Sequence, residues 1–150
     1  MDIFFAINNA YVDKLMVTMC SILESNRKEK VNFYVLNDDL TEDSKKLFFK
    51  LRKEYNNWSV EFISLDASRF ENLNLNINYI TKETYYRFVI ADLAPNLDKC
   101  LYLDADLVVD GSLKELWDTN LDGHYCAGVS DLYIERINHK SLINLESHEL

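Results

Sequence analysis

The chain has 150 residues, a formal net charge of −9 and a sequence pI of about 4.7. Its 48% hydrophobic and 27% charged residues describe a globular protein able to build a core, which excludes a disordered chain. The acidic balance excludes a broad nucleic-acid surface, which needs clustered Lys and Arg, and an anionic small ligand would need a local cation.

Ile3 to Ile7 is a short apolar run, rich in aromatic and β-branched residues, and predicts a buried strand that "NNA" breaks. From Tyr11 to about Asn26, the residues Leu15, Met16, Met19, Cys20, Ile22 and Leu23 fall at helical spacing. Val31 to Leu36 predicts a second strand. "NDDLTEDSKKLFFKLRKEY" opens with capping residues and acids and then sets Leu47, Phe48 and Leu51 on one helical face. Trp58 to Leu65 predicts a third strand, with Trp58, Val60 and Phe62 on one side. "ENLNLNINYI" alternates apolar residues with Asn, which strands disfavour, and is expected to be a loop. Thr81 to about Leu93 predicts a helix capped by Thr81 and stopped before Pro95. Lys99 to Leu103 predicts a fourth strand, "SLKELWD" one or two helical turns, and His124 to Ser130 a further strand. The tail from Glu135 is polar and weakly helical.

Alternating strands and helices predict an α/β domain with a mostly parallel central sheet flanked by helices. No linker, repeat or low-complexity tract divides it, so residues 1–150 are expected to form a single domain. Cys20, Cys100 and Cys126 are odd in number and widely spaced, and are expected to be buried free thiols. "MDIFFAI" has no basic segment before a short apolar run, and no stretch has the length of a membrane span, so a cytoplasmic protein is expected.

Ligands of open α/β sheets bind at the carboxyl ends of the strands. That rule selects "NNAY" after the first strand, Asp66 after the third, and Asp104 with Asp106 after the fourth. A bare D-x-D is worth little, because chance supplies about one in an acidic chain of this length. Its position after "KCLYL" adds weight: neighbouring carboxylates repel unless a cation or proton lies between them. In extended chain, residues i and i+2 point to one side, so both can approach one hard metal ion. The plain alternative is a solvated strand end. Gly111, Gly123 and Gly128 form neither G-x-G-x-x-G nor a P-loop, so glycine-loop phosphate binding is unsupported. A metal on Asp104 and Asp106 could supply the charge instead. His124, His139 and His148 lack metal-ligand spacing and are expected at the surface.

"KCLYLDADLVVDGSLKELWDTNLDG" resembles the D-x-D region of the family 8 glycosyltransferases, which include bacterial galactosyl- and glucosyltransferases of lipopolysaccharide synthesis and glycogenin. "DIFFAINNAYVDKLMVTMCSILESN" and "NINYITKETYYRFVIADLAPNLDK" resemble the same family, in the same order. The resemblance implies a Rossmann-like GT-A nucleotide-diphospho-sugar transferase fold and transfer of a hexose with retention of configuration. It further implies a UDP-sugar donor, UDP-galactose or UDP-glucose, and a saccharide acceptor such as a lipopolysaccharide oligosaccharide. It implies Mn²⁺ or Mg²⁺ held by Asp104 and Asp106 across Ala105, with the metal stabilising the UDP leaving group and Asp104 also near the ribose or donor sugar. Ala6, Asn8 and Tyr11 match uridine positions, Tyr11 by stacking and Asn8 by hydrogen bonds to the base edge. Arg87 matches an arginine near the donor sugar and the D-x-D, and Asp131 an aspartate facing sugar and acceptor. Each has a plain alternative: Tyr11 as the helix's first core contact, Arg87 as a surface arginine, Asp131 as a strand-end turn residue. The family-level setting is the cytoplasm, at the inner face of a bacterial membrane.

Two departures qualify these expectations. The family often has an acid where Asn8 and Asn9 stand and an Asn at Ala10. Its later blocks, an N-A-G segment, an acid/amide pair and a His-x-Gly-x-x-Lys motif that completes the metal site, are absent from these residues. The chain is thus expected to be the N-terminal portion of a longer catalytic domain, binding donor weakly and transferring slowly or not at all. A non-catalytic nucleotide-sugar-binding fragment is the first alternative. A haloacid-dehalogenase-type phosphatase is the second, although that family's D-x-D usually lies near the N-terminus and continues with Gly-Thr.

Overall fold

The computed structural model describes residues 1–66, 68 and 81–129. Its contacts group Met1–Asp118 into one compact unit and Thr119–Leu150 into a second. The expected loop "ENLNLNINYI" and the polar tail from Glu135 lie outside the described residues.

The first unit is a parallel four-stranded sheet in the order β3-β2-β1-β4, built from β1 (Asp2–Ala6), β2 (Val31–Asn37), β3 (Trp58–Ser64) and β4 (Leu101–Tyr102). Ile3 pairs with Phe33 on one side and Leu101 on the other, so β1 is a central strand. Both of its faces are covered, which is why Ile3, Phe4 and Phe5 run together without polar alternation and are fully buried. Ile3 and Phe5 join a core under α1 (Val12–Ser25) with Leu15, Met19, Ile22, Val35, Trp58 and Phe48. Phe4 joins a smaller core on the opposite face with Leu36, Leu65 and Tyr86, and stacks on Tyr34 at 4.5 Å between ring centres. Each fully buried aromatic of this kind stabilises the fold by about 1.5–3 kcal/mol.

α1 buries the expected Leu15, Met19, Ile22 and Leu23, with Met16 and Cys20 half-buried at its flank. α2 (Glu42–Phe48) begins at Thr41, whose hydroxyl accepts from the Ser44 amide at 3.1 Å. It then tightens into a 3₁₀ helix over Phe49–Lys53. Trp58, Val60 and Phe62 lie on one face of β3 as expected.

Several expectations change. The helix expected over Thr81–Leu93 is a 3₁₀ helix over Lys82–Val89 continued by a single α-turn, α3 (Ile90–Leu93). Thr81 makes no side-chain cap there; its carbonyl instead accepts from the Thr84 amide at 3.1 Å. The inward residues Glu83 and Tyr86 are three apart, the repeat of a 3₁₀ helix. β4 is shorter than Lys99–Leu103, although the Leu103 amide still donates to the Phe4 carbonyl at 3.1 Å. "SLKELWD" gives α4 (Lys114–Trp117), one helical turn. The three thiols are free, but Cys20 and Cys100 are only half-buried, at the margins of the two cores, and Cys126 is exposed.

In the second unit, Leu121–His124 form a turn in which the His124 amide donates to the Leu121 carbonyl at 2.8 Å, and Gly123 takes φ 77°. Such a conformation strains a residue with a Cβ. The strand expected from His124 does not form over residues 124–129. Tyr125 and Val129 are fully exposed, and no ladder pairs this stretch among the described residues. No helix of the described residues is long and apolar enough to cross a membrane.

Candidate functional site

The chain leaves β1 toward β2 and β3, then returns to the other side of β1 for β4. The carboxyl ends of β1 and β4 therefore flank the point where strand order reverses, and a crevice opens there in such sheets. Ala6, half-buried, ends β1. Asn8 follows in extended conformation (φ −99°, ψ 175°) and its Oδ1 accepts from the Ala10 amide at 3.1 Å, capping a 3₁₀ turn over Asn9–Tyr11. That bond orients the Asn8 amide. The second Oδ1 lone pair and the Nδ2 donors are what this side chain can offer a ligand. Tyr11 is 37% exposed, with Lys14 Nζ 4.0 Å from its ring centre. It is thus not the core contact at the start of α1; Val12 takes that place at 4% exposure.

This turn is latched to the loop after β2. The Asn9 amide donates to Asp39 Oδ1 at 2.8 Å, and the Thr41 amide donates to Asn9 Oδ1 at 3.3 Å. Beside them, Lys82 pairs with Asp38, and the hydrogen bond to that carboxylate raises the Lys82 ammonium above its ordinary range.

The D-x-D follows β4 immediately. Ala105 is 6% exposed and packs into the core under α1, whereas Asp104 and Asp106 on either side are exposed. A turn at Ala105–Asp106, rather than extended chain, delivers this alternation. The carboxylates are therefore not in the core, and the apolar frame after them is also partly wet, with Val108 74% exposed.

Arg87, on the 3₁₀ helix, reaches over from the sheet face. Its guanidinium lies 4.4 Å from the ring centre of Tyr102, its Nε donates to the Thr84 carbonyl at 2.7 Å, and Nη2 stands 4.0 Å from Asp104 Oδ1. The planar group is thereby fixed at three points. Burial pushes the Tyr102 hydroxyl up from its ordinary value, with Arg87 opposing. Arg87 thus puts a positive charge beside the D-x-D of an acidic protein.

Sequence reasoning missed the residues that hold the D-x-D from behind. Thr18 of α1 is fully buried, and its hydroxyl lies 2.8 Å from the carbonyls of both Ala105 and Leu107 while accepting from the Leu107 amide at 3.1 Å. Ser21 Oγ accepts from the Val109 amide at 2.9 Å, and Ser25 Oγ donates to the Val109 carbonyl at 2.9 Å. Asn26 Oδ1 accepts from the Leu113 amide at 2.8 Å. The residues 105–113 thus bond to a helix's side chains where another strand would otherwise serve. The legible signal was Thr and Ser at 18, 21 and 25, a polar stripe at helical spacing in a helix that is otherwise apolar on its inner face.

Among the described residues, no group of three or more His, Cys, Asp or Glu side chains is placed to hold a metal ion. Asp104 and Asp106 are two exposed hard oxygen donors, of the kind that Mg²⁺- and Mn²⁺-type cations take. His124 is exposed as expected. Asp131, His139 and His148 lie outside the described residues. Asp66 is exposed after β3, with Oδ1 accepting from the Ser68 amide at 3.0 Å.

The chain is 34% identical over 134 residues to glycosyltransferase GlyF of Streptococcus pneumoniae, covering 88% of this chain and 32% of that protein. It is 32% identical over 129 residues to lipopolysaccharide 1,3-galactosyltransferase of Salmonella typhimurium, covering 85% and 38%. Galactosyltransferase LgtC, solved with donor and acceptor sugar analogues, superposes with a TM-score of 0.83 at 33% identity, over 91% of this chain and 49% of that one. The chain therefore spans a third to a half of the length of these proteins. Its parallel sheet with flanking helices is the GT-A fold. The model of glycosyl transferase family 8 matches residues 2–149, and the chain belongs to that family.

Proposed function

We propose that residues 1–150 form the nucleotide-sugar-binding part of a retaining hexosyltransferase that moves galactose or glucose from a UDP-sugar to a saccharide acceptor of lipopolysaccharide type. One observation carries this reading: the exposed Asp104 and Asp106 stand at the end of β4, across the switch point from the Asn8–Tyr11 turn, with Arg87 4.0 Å from Asp104.

In this reading Tyr11 presents an exposed ring face to uracil, and Asn8, already oriented by its cap, hydrogen-bonds the base edge. Asp104 and Asp106 would hold Mn²⁺ or Mg²⁺. When bound, the ion acts as a Lewis acid on the diphosphate and stabilises the charge that develops on UDP as it leaves. Arg87, pinned over Tyr102, sets the direction of the Asp104 carboxylate and adds a fixed positive charge beside the donor sugar. Ala105, buried under α1, anchors the turn that carries the two carboxylates. Asp131 is assigned to the sugar and acceptor side. The setting that goes with this reading is the cytoplasm, at the inner face of a bacterial membrane.

Calorimetric titration with UDP, in Mn²⁺ and in EDTA, tests the reading on wild type and Asp106→Ala. Binding that strengthens with Mn²⁺ in the wild type and not in the variant is expected. A folded wild type that binds no UDP under either condition refutes it.

A further inference from the structure

We infer that Thr18 is a positioning residue for the D-x-D, fixing the direction of the Asp106 carboxylate through the backbone; this rests on the metal-binding reading above. The Ala105 carbonyl belongs to the peptide plane before the Asp106 Cα, and the Leu107 amide to the plane after it. Thr18 Oγ1 bonds both, lying 2.8 Å from the first and 3.1 Å from the second. One oxygen thus grips the two planes whose rotation defines φ and ψ of Asp106, and those angles aim its Cα–Cβ bond. The hydroxyl has a single proton, which the Ala105 and Leu107 carbonyls share, each 2.8 Å away.

The grip is rigid because Thr18 is fully buried on α1, among Leu15, Met19 and Ile22 on the same helix. It continues through Ser21, which accepts from the Val109 amide and donates to the Thr18 carbonyl at 2.8 Å. The Asp106 carboxylate, by contrast, is exposed. A metal site built from exposed carboxylates gains affinity when its ligands are pre-aimed, and residues that orient ligands from behind are where that aim is set.

The test uses Thr18→Val, which keeps the shape and deletes the hydroxyl, and Thr18→Ser, which keeps the hydroxyl. The readout is the ratio of UDP affinity in Mn²⁺ to that in EDTA, measured on the full chain by calorimetry, with Asp106→Ala as the reference for a lost site. Thr18→Val is expected to cut the Mn²⁺-dependent gain by about 10-fold with UDP affinity in EDTA unchanged, and Thr18→Ser to stay within about twofold of wild type. A purely structural role would lower the melting temperature and leave the ratio intact. Should Thr18→Val not fold, Ser21→Ala, which removes the next rung, is expected to cut the gain by about threefold. A folded Thr18→Val, or failing that a folded Ser21→Ala, with the wild-type ratio overturns the inference while leaving the metal reading standing. A wild type whose UDP affinity ignores Mn²⁺ overturns both.

Discussion

Replacing Arg87 by Met keeps the aliphatic stem and removes the guanidinium, so its cost reads out the three contacts that fix that group. The stack 4.4 Å over Tyr102 is worth about 0.5–1 kcal/mol in a partly exposed setting. The 2.7 Å bond from Nε to the Thr84 carbonyl adds about 0.5–1.5 kcal/mol. The Asp104 pair is 4.0 Å apart, with side chains 39% and 67% exposed, and adds less than about 1 kcal/mol. The sum, about 1–3.5 kcal/mol, corresponds to a melting temperature lower by about 3–10 °C for a chain of this size. Circular dichroism melts of wild type, Arg87→Met and Arg87→Lys measure it. Arg87→Lys keeps the charge but neither the planar stack nor the Nε bond, so it is expected nearer to Met than to wild type. Because the salt-screened pair is the smallest contribution, 0.5 M NaCl should leave most of the difference in place. An Arg87→Met melt within about 1 °C of wild type would refute the reasoning, since the guanidinium would then be unconstrained in solution.

Other substitutions test the scaffold behind the site. Asn26→Leu orphans the Leu113 amide and takes the Nδ2 donor from the Ile22 carbonyl in a buried place, and is expected to cost about 1–3 kcal/mol in urea unfolding with faster amide exchange at Leu113. Thr41→Ala removes the cap of α2 and should cost about 1 kcal/mol by the same measurement. Burial raises the Cys100 thiol, so the unfolded chain ionises it first. Stability is therefore expected to fall as pH rises through the ordinary thiol range and level off above the folded-state pKa, with Cys100→Ala flattening the profile. Disulfide-exchange labelling with a chromogenic reagent at pH 8 should modify the exposed Cys126 before Cys20 and Cys100.

The sheet was readable because β1 and β2 carry dense apolar runs, buried on two faces, and β3 alternates apolar residues with polar ones as an edge strand does. The D-x-D was found by position, since its own pattern is close to chance. An apolar run, however, reads as core whether or not anything covers it. Leu107 and Val108 belong to such a run yet stand in solvent. The helix expected over Thr81–Leu93 differed because apolar spacings of three and four residues fit both helix types. Only the packing of Glu83 and Tyr86 selected the tighter one. The strand at His124 had the composition of a strand but found no ladder among the described residues, and composition cannot supply a neighbour. Thr18 escaped notice because a hydroxyl in an apolar helix face looks like a weak core residue until the backbone it bonds, 87 residues away, is in place.

The placement of β1 between β2 and β4 also sets an order of events on the ribosome. β1, β2 and β3 can pair as soon as Ser64 has emerged, which leaves one edge of β1, the strand of Ile3, Phe4 and Phe5, open. The closing strand arrives only with Leu101 and Tyr102. At ribosomal rates the intervening chain takes about 2–7 s to make. For that interval the nascent protein displays an apolar, hydrogen-bond-hungry strand edge, a template for pairing with the same edge of a neighbouring chain. Polysome crowding is therefore the condition under which this sheet is most exposed to misassembly. The same two residues that lead into the D-x-D end that exposure.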